Sequence, residues 1–332
     1  MKILFCIQAT GNGHISRAIE LLPYLTKHAQ VDVFLSGSNS SLKPDLPIKF
    51  RSEGLSLFYR PEGNLNWWKI IKQINPYRLI KDALNLPVNE YDKVIVDYEF
   101  VGALACKLRR KSFLHIGNQA SFVSKQVPRP PKRHKASEWV LKNYCSSKYN
   151  IGYHYNSYEN WILPPTIKQH FWDAKTSANE YVTVYLPHIS KREINRYFYA
   201  LRGVEFHIFH PEVKEYEKDF NIHWFPIEGE KFDQDLISSK GVITAAGFQT
   251  TAEALFLEKP LMVIPIPKQY EQWCNAEALR QYEVEVVETL NLQFETTFRR
   301  WYKKSESAKN KPIFIKTEDI ANRIVTELQS MP

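Results

Sequence analysis

The sequence predicts an α/β chain built from two doubly wound parallel sheets in series. Each half alternates short apolar runs with segments of helical periodicity, and short connections join them. The length of 332 residues provides for two separate cores, and Pro164-Pro165 punctuates the middle.

In the first half, residues 2–8 form an apolar run. Residues 14–28 follow with Ile15, Ala18, Ile19, Leu22 and Leu25 at helical spacing. Strand-like runs recur at 31–35, 94–96 and 113–116, with a helical pattern at 99–110. The second half places strands at 182–186, 204–209, 242–244 and 261–264. Helical segments near 190–201, 233–239, 249–257 and 270–281 alternate with them. After a polar stretch at 303–312 comes a last helix, with Thr317 as its expected cap and an Ile320–Ile324–Leu328 stripe.

Composition excludes several classes. With 44% hydrophobic and 24% charged residues the chain is neither disordered nor collagen-like. Cys6, Cys106, Cys145 and Cys274 are too scattered for a disulfide scaffold or a thiolate zinc site. No apolar run approaches the ~20 residues that span a bilayer. The opening Met1-Lys2-Ile3-Leu4-Phe5-Cys6-Ile7 is too short for a signal peptide, so a cytoplasmic location is expected. The net charge of +8 is lopsided. Residues 1–160 carry 23 Lys/Arg against 12 Asp/Glu, and the remainder 21 against 24. Two stretches concentrate the basic residues, 67–84 with Trp67 and Trp68, and 125–148. Without RNP-type aromatic motifs or zinc-finger spacing, they predict an approach surface for an acidic glycan or an anionic membrane and no nucleic-acid partner.

The first candidate site is the loop Ala9-Thr10-Gly11-Asn12-Gly13-His14 between strand and helix. Gly11 and Gly13 permit a tight turn and close ligand approach, and a helix N-terminus favours an anion. Ser16 breaks a dinucleotide fingerprint, and no Gly-Lys-Ser/Thr forms a P-loop. His14 lies where doubly wound sheets bind ligands, at the carboxyl end of a strand.

The second site is Thr244-Ala245-Ala246-Gly247-Phe248-Gln249-Thr250-Thr251-Ala252-Glu253. A strand breaks at small residues and a helix opens, with free N–H groups and Thr hydroxyls suited to a diphosphate. Glu253 shares a helix face with Gln249, where a carboxylate can accept both hydroxyls of a ribose. Further on, Gln272 and Asn275 are spaced to present amides to sugar hydroxyls.

"Gly-Phe-Gln-Thr-Thr-Ala-Glu-Ala-Leu … Lys-Pro-Leu-Met-Val-Ile-Pro … Tyr-Glu-Gln-Trp-Cys-Asn-Ala" resembles the donor-binding signature of GT-B glycosyltransferases. The resemblance is to the branch near the lipid II-forming N-acetylglucosaminyltransferases and the UDP-glycosyltransferases. It is shared by the amino-terminal Gly-Asn-Gly-His-Ile-Ser-Arg-Ala. It implies an acceptor-side domain at 1–163, a donor-binding domain at 164–316 and a helix at 317–332 returning to the first domain. It further implies that Gly13 and Gly247 to Thr250, Phe248 and Gln249 included, face the diphosphate. Glu253 would face the ribose, Glu271 or Gln272 the donor sugar, and backbone near Phe225 and Pro226 the base, with Phe232 close by.

Transfer to a hydroxyl requires a base and a means of stabilising the departing diphosphate. His14 is the leading base, and Asp97 either orients it or replaces it, with Glu99 as an alternative. His115 and Gln119 are candidates for the acceptor side. The resemblance implies inversion of the anomeric carbon, a UDP-linked donor as co-substrate, no further cofactor, and a lipid-linked or glycan acceptor. Asp233-Gln234-Asp235 has the spacing of a metal-diphosphate motif, but as the opening of a helix it reads as a cap, so no metal is expected. A nucleotide-sugar 2-epimerase on the same fold, and a non-catalytic module for anionic membranes or nucleic acid, are the alternatives.

Overall fold

A computed structural model describes residues 1–9, 12–37, 46–55, 75–304 and 311–332. Thr10, Gly11, Trp67 and Trp68, with residues 67–74 of the first basic stretch, lie outside the described residues.

The first sheet begins with β1 (Lys2–Gln8), α1 (Asn12–Leu25), β2 (Gln30–Ser36) and β3 (Ile48–Ser52). There follow α2 (Pro76–Asn85), β4 (Lys93–Asp97), α3 (Phe100–Leu108), β5 (Leu114–Gly117), α4 (Asn118–Ser121), α5 (Lys135–Asn143), β6 (Tyr149–Tyr153) and β7 (Ile162–Leu163). All seven strands run parallel, in the order β3-β2-β1-β4-β5-β6-β7. Helices cover both faces, so β1 and β4 are buried on both sides and read as continuous apolar runs rather than alternating ones. The edge strands β3 and β7 are short or polar and carry no such run, which is why periodicity alone misses them.

The second sheet contains α6 (Gln169–Trp172) before it, then β8 (Asn179–Tyr185), α7 (Lys191–Phe198), β9 (Glu205–Phe209), β10 (Glu217–Asp219) and β11 (Ile222–Phe225). It continues with α8 (Gly229–Ser238), β12 (Ser239–Thr244), α9 (Phe248–Phe256), β13 (Leu261–Val263), α10 (Tyr270–Arg280), β14 (Glu285–Val286), α11 (Phe294–Lys304) and α12 (Thr317–Ser330). Its order is β10-β11-β9-β8-β12-β13-β14, parallel except for the hairpin strand β10.

Both sheets reverse direction of growth at one point, between β1 and β4 in the first and between β8 and β12 in the second. A crevice opens at such a point beyond the carboxyl ends of the strands, because the following helices leave to opposite faces. α12 returns to the first sheet and packs on α1. Lys27 meets Glu318 at 2.8 Å, and Lys93 Nζ donates to the Met331 carbonyl. One apolar cluster runs through Ile15, Phe248 and Ile320, so the three bodies share a core beneath the cleft.

Three local expectations change. α1 begins at Asn12, so Gly13 and His14 occupy its first turn rather than a preceding loop. α8 begins at Gly229, which places Asp233-Gln234-Asp235 mid-helix, where it caps nothing. Thr317 does not cap α12; its Oγ1 donates to the Ile167 carbonyl at 3.1 Å.

Candidate active site

At the switch point of the first sheet, Asp97 ends β4 in register with Ile7 of β1, and α1 starts beside it. His14 Nδ1 lies 2.7 Å from Asp97 Oδ1. Arg17, one turn along α1, donates from Nε to Oδ2 at 2.9 Å and from Nη2 to Oδ1 at 2.7 Å. Asp97 is fully buried and Arg17 nearly so, whereas His14 keeps 14% of its side chain in the cleft. Burial alone would raise the Asp97 carboxyl, but Arg17 and His14 outweigh it and hold the group at about 2. The carboxylate is therefore an acceptor only, and Nδ1 of His14 must carry the proton it receives. Arg17 Nη2 also stands 2.9 Å from Nδ1, and one of its two N–H groups donates to Asp97 Oδ1. Nε2 of His14 is left with a lone pair, which is the arrangement of a general base oriented by a buried carboxylate.

Two backbone features support this array. Gly117 holds φ +133°, and a Cβ there would sit 3.2 Å from Asp97 Oδ1 and 3.6 Å from Arg17 Nη2. Tyr98 takes φ +48°, a conformation that costs ~1–3 kcal/mol for such a residue. It places the ring between His14 and His115, near-parallel to each at 6.2 Å.

Opposite stands the N-terminus of α9. Gly13 faces it closely, since a Cβ on Gly13 would lie 3.8 Å from the Gln249 Cβ. Between the two walls is a cavity of about 640 Å³, lined by Gly13 and Ser16 on one side and Gln249, Thr250 and Glu253 on the other. Its far end is apolar and aromatic. Tyr185, Phe209, Ile227 and Phe232 line it, with Phe209 edge-on to Phe232 at 5.0 Å. Gln249 donates to Glu253 Oε1 and to the Thr166 carbonyl, each at 2.9 Å, so the carboxylate is held in place. Glu271, at the start of α10, accepts from Gln119 Nε2 at 3.0 Å across the cleft. Burial raises its carboxyl, while His14, Gln119 and Arg17 pull it back down. The assembly combines an imidazole backed by a buried carboxylate, a helix N-terminus, a buried carboxylate held by an amide, and an aromatic slot.

The family model for glycosyl transferase family 1 matches residues 1–298. The chain belongs to that family. Its fold is GT-B, as in UGT89C1 of Arabidopsis thaliana complexed with UDP, with a TM-score of 0.61 and 12% identity over 98% of this chain and 99% of that one. The MurG of Acinetobacter baumannii aligns at 0.55 and 16% identity over 100% of both chains. The spinosyn forosaminyltransferase SpnP aligns at 0.57 and 12% identity, covering 99% and 100%. No curated protein sequence matches the chain.

Within this glycosyltransferase, several residues singled out from sequence stand elsewhere than expected. Glu99 does not reach His14. It is the N-cap of α3, accepting from the backbone of Val101 at 2.7 Å and Gly102 at 2.5 Å. Burial there raises its carboxyl to about 7, against the pull of those two N–H groups. His115 is buried behind Tyr98 rather than lining acceptor space, and desolvation lowers its imidazole to about 4. Phe248 turns away from the cavity to pack on Tyr155 at 5.0 Å. Asn275 is fully buried and donates to the Ala246 carbonyl, and Gln272 accepts from the Ile266 backbone at 2.9 Å. Asn275 Nδ2 is thereby spent on the backbone beside Gly247, and Gln272 Oε1 on the loop after β13. The carbonyls of Phe225 and Pro226 are already engaged by His210 and Glu228, and Phe225 stacks behind Phe209.

Arg17 is the residue that sequence reasoning passed over. Its signal is its place at i+3 from His14, which puts the two on one face of α1. Of the metal-like pair, Asp233 meets Lys168 and His170, and Asp235 meets His207 and Lys231.

Proposed function

We propose that the protein transfers a sugar from a nucleoside diphosphate sugar, with inversion at the anomeric carbon, to a hydroxyl of a lipid-linked or glycan acceptor. The observation that carries this reading is the His14–Asp97–Arg17 array at the start of α1, beside the cavity that Gly13 and Ser16 of the same helix share with Gln249, Thr250 and Glu253 of α9. The solved neighbours complexed with UDP and with dTDP support a pyrimidine nucleotide, and UDP is the one proposed here. The base would stack among Tyr185, Phe209 and Phe232, the ribose hydroxyls would donate to Glu253, and the diphosphate would meet the N–H groups of α9 and the Thr250 hydroxyl.

In the reaction, His14 Nε2 takes the proton from the acceptor hydroxyl as its oxygen attacks the anomeric carbon. The bond from that carbon to the diphosphate oxygen breaks on the opposite side. Asp97 stabilises the imidazolium through Nδ1–H, and the helix N-terminus receives the developing charge. Glu271, which accepts from Gln119, would bind hydroxyls of the donor sugar. With Asp233 and Asp235 engaged by four cationic or imidazole partners, the proposal requires no metal on the diphosphate.

Approach of the acceptor is assigned to the basic face of the first sheet. α2 exposes Tyr77, Ile80 and Leu84 beside Lys81, and α5 exposes Trp139 beside Lys135. Apolar side chains among lysines fit an anionic membrane surface, so a peripheral membrane location follows as part of the proposal. No helix among the described residues is long and apolar enough to cross a membrane.

A thermal-shift screen of UDP, dTDP, GDP and ADP tests the donor site. UDP is expected to raise the melting temperature of the wild type and to lose that effect in Glu253→Ala. A screen in which no nucleotide stabilises the wild type would sink the assignment.

A further inference from the structure

The connection between the two sheets, residues 166–170, does more than join them. It reaches into the cavity alongside Glu253. Lys168 Nζ lies 2.6 Å from Asp233 Oδ1 and 3.7 Å from Glu253 Oε1, with 18% of the side chain exposed. The segment is held from three directions. The Thr166 carbonyl accepts from Gln249, the Ile167 carbonyl from Thr317, and the Gln169 N–H donates to Glu20 of α1 at 3.0 Å. Lys168 is thereby fixed relative to α9, α12 and α1 together.

The charges around Glu253 explain what such a lysine is for. Only 2% of Glu253 is exposed, and two other carboxylates, Asp233 of α8 and Glu20 of α1, face it. Its own helix contributes the Gln249 amide, and His170 on the far side pairs with Asp233. Burial, Asp233 and Glu20 all raise the Glu253 carboxyl, and Lys168 is the cation that opposes them. An ionised carboxylate offers both oxygens as charged acceptors to the two hydroxyls of a diol, whereas a protonated one turns one oxygen into an O–H donor and gives up the charge that strengthens those bonds. Lys168 in turn is stabilised as a cation by Glu253 and Asp233 against its own desolvation.

We infer that Lys168 is a positioning residue for donor binding, keeping Glu253 ionised so that it accepts the ribose hydroxyls, and that the inter-domain connection thereby completes the nucleotide site. This rests on the reading of Glu253 as the ribose ligand.

The test is isothermal titration of the full chain from pH 5.5 to 9, using whichever of UDP, dTDP, GDP and ADP binds the wild type most tightly. Wild-type affinity is expected to be flat between pH 6.5 and 8.5. In Lys168→Met, affinity should fall by about tenfold per pH unit below the raised carboxyl value and recover toward pH 9. Lys168→Arg, which retains the charge, should restore the flat profile. Unchanged affinity in Lys168→Met, a loss equal at every pH, or a sloped profile in Lys168→Arg each overturns the inference while leaving the donor site standing. Absence of binding by all four nucleotides to the wild type overturns both.

Discussion

Arg17 and Asp97 are 80 positions apart, yet they meet through two hydrogen bonds of 2.9 and 2.7 Å with almost no solvent reaching either. A buried pair of this kind is costly to break from one side, because the remaining charge is left without a partner. Arg17→Met is expected to destabilise the protein by about 3–5 kcal/mol, read as a large fall in melting temperature. A change within about 1 kcal/mol would show that water or another cation reaches Asp97.

Asp97→Asn keeps the shape of the array and changes its chemistry. An amide can donate to Nδ1 and so favours the wrong tautomer of His14. Turnover of the donor is expected to fall by about 10²–10⁴-fold with nucleotide affinity retained. Near-normal turnover in this variant would remove Asp97 from the mechanism.

His14→Ala is expected to lower turnover by a similar ~10²–10⁴-fold, again without loss of nucleotide binding by calorimetry. If affinity falls in parallel with turnover, His14 is a donor ligand and not the base.

Gly117→Ala tests the backbone beneath the array. The φ of +133° and the 3.2 Å separation from Asp97 Oδ1 leave no place for a methyl group. A loss of ~1–3 kcal/mol of stability is expected, together with a fall in kcat that exceeds any change in KM. A fully active, equally stable variant would mean that the loop relaxes without moving Asp97.

Two carboxyls give opposite pH dependences. Asp97 is held at about 2, below its ordinary 3.8, so its stabilisation is complete above pH ~4 and is lost as pH falls through about 2. Glu99 is raised from 4.5 to about 7, so its contribution is complete below pH 4.5 and is lost as pH rises through about 7. Denaturant melts between pH 4 and 8 should show stability declining from about pH 4.5 to about pH 7 and levelling off above it, and Glu99→Gln should flatten the decline. An identical slope in Glu99→Gln would assign it to another group.

Most of the fold was legible in the sequence, because buried parallel strands such as β1 and β4 are continuous apolar runs that periodicity detects directly. Edge strands β3 and β7 were not, since they lack that run. At the site, His14 and Asp97 could be picked out by their places at strand ends. Arg17 could not, because its burial depends on Asp97, which no local pattern connects to it. Glu99 illustrates the converse error. A carboxylate just beyond a strand resembles a catalytic acid, but the same position is also the N-cap of the following helix, and the N–H groups of Val101 and Gly102 claim it. Asn275 has the spacing of a sugar ligand, yet it is buried and its amide N–H goes to the Ala246 carbonyl.

The hydrogen bond from Thr317 to the Ile167 carbonyl has a mechanical consequence. The polypeptide passes between the two lobes twice, once before α6 and once entering α12, and this bond ties the two passages side by side. Two pins set together behave as one hinge. Any relative movement of the two sheets that keeps this bond must carry residues 167 and 317 together.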